Sequence, residues 1–207
     1  EMNIPCDAIY LDIDYMEGFR CFTWNNQYFP NPKKMIEEME DEGFKVITMI
    51  DPGIKIDRDY WVYQQAMNNG FFCRRADGPH FKGKVWPGEC KFPDFTNPEV
   101  REWWAELYKE MIAEMGVSGV WNDMNEPALW GKEMPFVVEG IKALHNVYGL
   151  LMAQATYEGL LADDPGKRPF VVTRAGWAGI GRYSAVGTGS NLWSWQRAQY
   201  TASPRVP

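Results

Sequence analysis

The sequence predicts an α/β fold: part of a (β/α)8 TIM barrel, with five strands and a long insertion after the second of them. Three observations predict it. Short apolar segments alternate along the chain with segments of helical periodicity, and repeated strand–helix units imply a parallel sheet because parallel neighbours need crossovers. Asp12 and Asp14, Asp51, Asp123 and Arg174 all fall at the C-terminal ends of strand-like segments, and a barrel gathers such ends into one mouth. No Gly-rich phosphate loop follows any strand, which weakens the competing open, doubly wound sheet of dinucleotide-binding type. Five strands do not close a barrel, so residues 1–207 read as one piece of a (β/α)8 catalytic domain.

Each element has its own signals. Asp7 to Tyr15 reads as a first strand with polar residues at its C-terminal end. Pro32 to Asp41 reads as a helix: Pro32 suits its first turn, Met35, Ile36 and Met39 share a face, and Gly43 stops it. Phe44 to Ile50 is the second strand, closed by Asp51-Pro52-Gly53. Asp57 to Thr96 is the insertion, rich in aromatics, Gly and Pro, with a local helix near Trp61 to Met67. Asn97 caps a helix running to Met115, its buried stripe being Trp104, Leu107, Tyr108, Met111 and Met115. Val117 to Trp121 is the third strand, and a helix follows from about Val138 to Leu161. Pro169 to Thr173 is the fourth strand, and Tyr183 to Val186 a weaker fifth.

Composition narrows the chemistry. With 45% hydrophobic and 24% charged residues the chain is ordinary globular protein. A net charge of -7 disfavours a nucleic-acid partner. No apolar run approaches the roughly 18 residues that a membrane span needs, and the first residues carry no signal-like pattern. The four Cys are widely spaced, without a CxxC, and there are only two His, so neither a metal site nor any other cofactor is expected. The compartment is open, the cytoplasm slightly favoured.

Two acidic motifs carry the chemistry. On a strand, Asp12 and Asp14 would share one face, which suits hydrogen bonding to a polyol or, alternatively, a metal. Trp121-Asn122-Asp123-Met124-Asn125-Glu126-Pro127 is more specific: a strand ends in two carboxylates flanked by Trp, Met and two amides. Glycosidic cleavage needs one carboxylate at the oxocarbenium-like carbon and a second group to protonate the leaving oxygen.

These segments resemble glycoside hydrolase family 31, α-glucosidase type, from Pro5 to Gly189. Leu11 to Met16 is similar to the end of the family's second barrel strand, Asp51-Pro52-Gly53 to the end of the third, and Trp86 to Phe95 to the loop after it. Trp121 to Pro127 resembles the nucleophile signature on strand four, His145 to Leu160 the helix after it, and Thr173 to Gly176 the end of strand five. The resemblance implies that the chain covers about strands 2 to 6, with the insertion after strand 3. It implies a retaining attack by Asp123 on terminal α-linked glucose, through a covalent glycosyl-enzyme. Asp12 would bind the 4-hydroxyl side of the sugar and Asp14 lie near its 6-position. Arg174 would hydrogen-bond sugar hydroxyls and keep Asp123 ionised. Trp86, Trp121 and Met124 would wall the subsite, with Asp51 and Ile54 lining it. The partners implied are an α-glucoside or oligosaccharide substrate and the remaining barrel and β-sandwich domains of a longer parent chain.

One departure matters. The family's sixth strand ends in Trp-x-Gly-Asp-Asn, whose Asp is the general acid/base, whereas here the run is Gly187-Thr188-Gly189-Ser190-Asn191. Ser190 stands at the acid/base position, and a serine hydroxyl is far too weak an acid to replace a carboxyl group. Cys21 also stands where relatives commonly have Asp. The alternative is therefore a non-catalytic or degenerate sugar-binding fragment of the same family. A metal-dependent hydrolase built on Asp12, Asp14, Asp123 and Glu126 ranks below both.

Overall fold

The computed structural model describes residues 5–75, 77–128 and 144–187. Five parallel strands form its main sheet in chain order: β1 (Ala8–Leu11), β2 (Lys45–Ile50), β6 (Gly119–Asn122), β7 (Val171–Thr173) and β8 (Ala185–Val186). Between β2 and β6 lies a small antiparallel sheet of β3 (Ile54–Lys55), β4 (Gly83–Val85) and β5 (Gly88–Lys91), in the order β3-β5-β4. An unbroken run of neighbouring parallel strands is the expected arc of a barrel, and the small sheet is the body of the insertion.

The helices follow the sequence signals. α1 (Pro32–Asp41) starts where the Asn31 side chain accepts from the Lys34 N–H at 3.1 Å and Pro32 takes the first position, and Gly43 follows its end with φ +93°. α2 (Trp61–Asn68) lies within the insertion. α3 (Pro98–Glu106) is capped by Asn97, whose side chain accepts from Glu99 N–H at 2.9 Å. The single helix expected to Met115 instead breaks after Glu106 and resumes as a π-helical turn over Glu110–Glu114. Most of the predicted stripe survives the change, with Trp104, Leu107, Tyr108 and Met111 buried and Met115 half-buried. α4 (Leu144–Asp163) covers the expected helix from Leu144 onward, and the expected start near Val138 lies outside the described residues.

The core sits between the sheet and its helices. Phe22 meets Trp104 and Tyr108 edge-on at 5.2 and 5.1 Å, and Phe95 bridges Trp104 and Tyr148 at 5.1 Å each. Edge-on contacts of this kind add about 0.5–1.5 kcal/mol each beyond the burial of ring surface. α3 and α4 pack so closely that a Cβ on Gly159 would lie 2.8 Å from the Ala105 carbonyl.

Candidate active site

Strand alternation decides what reaches the mouth. The Asn122 amide donates to Thr156 of α4 at 3.1 Å, so that side of β6 faces the helices and Trp121 faces the other way. Trp121 pairs with Met49 and with Val172, and Tyr10 pairs with Ile47, two residues before Met49. Tyr10, Met49, Trp121 and Val172 therefore share the face turned away from α4, the inner face of the arc. Two residues beyond each of them stand Asp12, Asp51, Asp123 and Arg174. Electrostatics agree with this placement: Asp123 feels Arg174, Glu126 and Asp12, and Asp51 feels Asp123 and Arg174.

Arg174 organises the group. Its Nε and Nη2 donate to the two oxygens of Glu126, each at 2.7 Å, a bidentate pair. Nη2 also reaches Met124 Sδ at 3.1 Å. Nη1 lies 3.2 Å from Asp123 Oδ1 and donates to Oδ2 at the longer distance of 3.5 Å. Oδ1 itself is buried and has no hydrogen-bond partner among the described residues. Asp123 is thus held against Arg174 by ion-pair contact at one oxygen and a long hydrogen bond at the other.

Burial pushes the Asp123 carboxyl above its ordinary value; Arg174 and the Met124 N–H pull it down, while Glu126 and Asp12 push it up. Arg174 favours the charged form, as expected, but desolvation outweighs it and the net direction is toward the protonated acid. Burial also opposes the charge on Glu126, yet the Arg174 donors and their charge hold that carboxyl below its usual range. Asp51, 1% exposed, is pushed up to about 7 by burial, against the hydrogen bond it accepts from Gly53 N–H at 2.6 Å.

The other expected residues fall in different places. Asp12 and Asp14 do not share a strand face. β1 ends at Leu11, and the Asp12 carboxylate accepts from the Ile13 N–H at 2.7 Å, starting a 3-10 turn over Ile13–Tyr15 that leaves Asp14 exposed. A capping side chain coils the backbone, so the period of two no longer applies. Trp121 is half-buried and Met124 buried, the latter with φ +54°. Trp86 sits in the two-residue turn between β4 and β5 and is 45% exposed. Ile54 is wholly buried in the hydrophobic core and exposes no surface to a ligand. Ser190 lies outside the described residues.

Neither of the two amides that flank the acids hydrogen-bonds to them. Asn122 is tied to Thr156, itself bonded to Tyr108 at 3.1 Å. Asn125 donates to Thr173 at 2.7 Å and accepts from the Ala175 N–H at 3.0 Å. One amide anchors the strand end to α4, the other to the loop that carries Arg174. Strand alternation places Asn122 opposite to Asp123, but β6 ends there and the left-handed turn at Met124 sets Asn125, so only the first amide could be placed from the sequence. A cavity of about 660 Å³ opens elsewhere, at the N-terminal ends of the strands beside Ile47, Leu160 and Phe170. It holds none of the clustered acids, so the chemistry is assigned to the strand C-termini instead.

Residues 1–204 match the family described as "Glycosyl hydrolases family 31 TIM-barrel domain". The chain belongs to glycosyl hydrolase family 31. Among relatives, Alpha-glucosidase 2 of Bacillus thermoamyloliquefaciens is 44% identical over 96% of this chain and 26% of its own length. Neutral alpha-glucosidase C of Homo sapiens is 43% identical over 94% of the chain and 22% of its own length. Among solved structures, the family 31 alpha-glucosidase from Bacteroides thetaiotaomicron superposes with a TM-score of 0.82 at 47% identity, covering 93% of this chain and 32% of that one. The ER glucosidase II heterodimeric complex gives a TM-score of 0.87 at 37% identity, covering 94% and 22%. This family 31 chain therefore spans about a quarter of the length of the relatives it matches.

Proposed function

We propose that the chain is a fragment of a retaining α-glucosidase catalytic domain, carrying the nucleophile Asp123 but not a carboxylic general acid. The observation that supports it most is the position of Asp123 at the end of β6 on the inner face of the arc, paired with Arg174. In the reaction a carboxylate oxygen of Asp123 attacks the anomeric carbon of a terminal α-glucose, and the bond to the leaving oxygen breaks. The Nη1 of Arg174 stabilises the carboxylate before attack. Asp12, Asp14 and Arg174 hold the sugar hydroxyls, and Trp86, Trp121 and Met124 wall the ring. Asp51 lines the site as a group that changes charge near neutrality. The leaving oxygen still needs a proton, and the Ser190 hydroxyl does not supply it at useful rates. Turnover of ordinary glucosides would be lower by roughly 10²–10⁴-fold for that loss alone.

A fluorinated glucosyl fluoride, whose leaving group needs little protonation, separates the two halves of the mechanism. In the protein with its whole barrel, it should label Asp123 covalently, as peptide mass spectrometry would show, and Asp123→Asn should remove the label. Ser190→Asp should restore hydrolysis of maltose. Labelling at another residue would discard the assignment of the nucleophile. The alternative, a degenerate sugar-binding fragment, is motivated by Ser190 itself; glucose binding by calorimetry without any labelling at Asp123 would favour it.

A further inference from the structure

Lys91, the last residue of β5, is only 6% exposed. Its ammonium lies 2.9 Å from His80 Nδ1 and 2.7 Å from Met67 Sδ. It stands 5.3 and 5.5 Å from the ring centres of Tyr63 and Phe72. None of these groups is an anion, and among the described residues no carboxylate forms an ion pair with Lys91, Arg74 or Lys82. Of the acids nearest in sequence, Asp77 pairs with Arg75 at 3.1 Å and Asp94 accepts from Thr96 at 2.6 Å, while Glu89, two residues before Lys91, is exposed and stands opposite Lys84 of β4.

Backbone pairing brings the cations together. Arg74 bridges to His80 and Phe72 to Pro93, so Phe72 and Arg74 point to one side, as do His80 and Lys82. The charges of Arg74 and Lys82 reach Lys91 and add to its burial in disfavouring the ammonium. The result is an all-cationic group, two members exposed and one buried, around a floor of aromatic rings.

Such a group is expensive as it stands. Cation–π contact with Tyr63 and Phe72 offsets part of the desolvation of Lys91 but none of the repulsion from its neighbours. His80 does not relieve it either. An ammonium has only donors, so Nδ1 must accept, which leaves the ring proton on Nε2. That N–H is buried with no acceptor among the described residues. What the arrangement lacks is negative charge with several acceptor oxygens.

We propose that this face of the small sheet is a binding site for a phosphate-like oxyanion, either free or as an ester on a sugar, held between Arg74 and Lys82 with Lys91 beneath. The site is independent of the Asp123 chemistry. Arg74 supplies a planar fork of donors, Lys82 a flexible point charge, and Lys91 a fixed charge in a low-dielectric base. The aromatic floor keeps that base dry, which strengthens its attraction for the anion.

Titration calorimetry with inorganic phosphate, glucose 6-phosphate and glucose, at constant ionic strength so that screening is held fixed, tests it. Both phosphates should bind, and saturating glucose, which the Asp123 site would take up, should not displace them. Tighter binding of glucose 6-phosphate would mark a sugar ester as the ligand, and equal affinities would mark the free anion. Arg74→Gln and Lys82→Ala, both at exposed positions, should each weaken binding roughly tenfold, and Lys91→Met, which matches the thioether and aromatic surroundings, should abolish it. Absence of phosphate binding at about 10 mM, where even a millimolar site would be filled, would overturn the proposal. So would affinities that the Arg74 and Lys82 substitutions leave unchanged.

Discussion

Glu126 and Arg174 satisfy each other through two short hydrogen bonds, and Asp123 receives only what remains of the guanidinium. Glu126 thus raises the Asp123 pKa twice over, by its own charge and by occupying the donors. Glu126→Gln should therefore move the acid limb of Asp123 labelling to lower pH, since loss of that charge favours the ionised Asp123 carboxylate. A labelling-rate profile from pH 4 to 8 checks the direction, and an unmoved or rising limb would contradict it. Asp51 gives a second residue-scale expectation. Its folded pKa of about 7 lies above the unfolded value of 3.8, so the folded state holds its proton more tightly. Stability from that group is complete below the unfolded value and is lost as pH rises through about 7. The loss is on the order of 4 kcal/mol at most. Thermal melts between pH 4 and 8 should show the decline, and Asp51→Asn, which keeps the acceptor for Gly53 N–H, should flatten it. The acids themselves were legible from the sequence because each ends an apolar strand. Their division of labour was not: a spacing of three residues between Asp123 and Glu126 does not say which one the arginine on the next strand will grip.

At the scale of elements, the boundaries that capping chemistry marks were readable, and those decided by packing were not. Asn31-Pro32 and Asn97-Pro98 fix the starts of α1 and α3 through side-chain acceptors and a pre-set φ. The break after Glu106 has no such local signature; an unbroken helical stripe crosses it. The 3-10 turn at Asp12 is the exception, begun by a cap yet hidden because the alternation Leu11-Asp12-Ile13-Asp14-Tyr15 reads equally well as more strand. Gly149 in α4 shows how an element sets the site. A Cβ there would lie 2.7 Å from the Ala175 carbonyl and 3.0 Å from that of Asn125, the two loops that hold Arg174 and Asp123. Gly149→Ala should cost about 1–3 kcal/mol of stability by overpacking. It should also slow Asp123 labelling more than Gly159→Ala, whose clash is with α3 and away from the loops. Denaturant melts and labelling rates on the two variants test this, and equal rates would show that α4 does not position the site.

Over the whole molecule, five parallel strands in chain order leave β1 and β8 as the two edges of the sheet among the described residues. On the inner face Tyr10 is 47% and Phe170 40% exposed. Open edges beside exposed aromatics favour pairing with another chain. The 207-residue chain on its own should associate as its concentration rises, and Tyr10→Lys should reduce this in sedimentation experiments; concentration-independent monomers would count against the open arc. The fold class was legible at this scale because charged strand ends need a common mouth. The small antiparallel sheet was not, since β3, β4 and β5 span only two to four residues each. The opposed anchoring of Asn122 and Asn125 sets a limit on engineering. Anyone transplanting the Trp121–Glu126 stretch into another barrel would have to carry Thr156 and the Thr173–Ala175 corner with it, since a graft shifted by one position would aim Asp123 at a helix and an amide at the mouth.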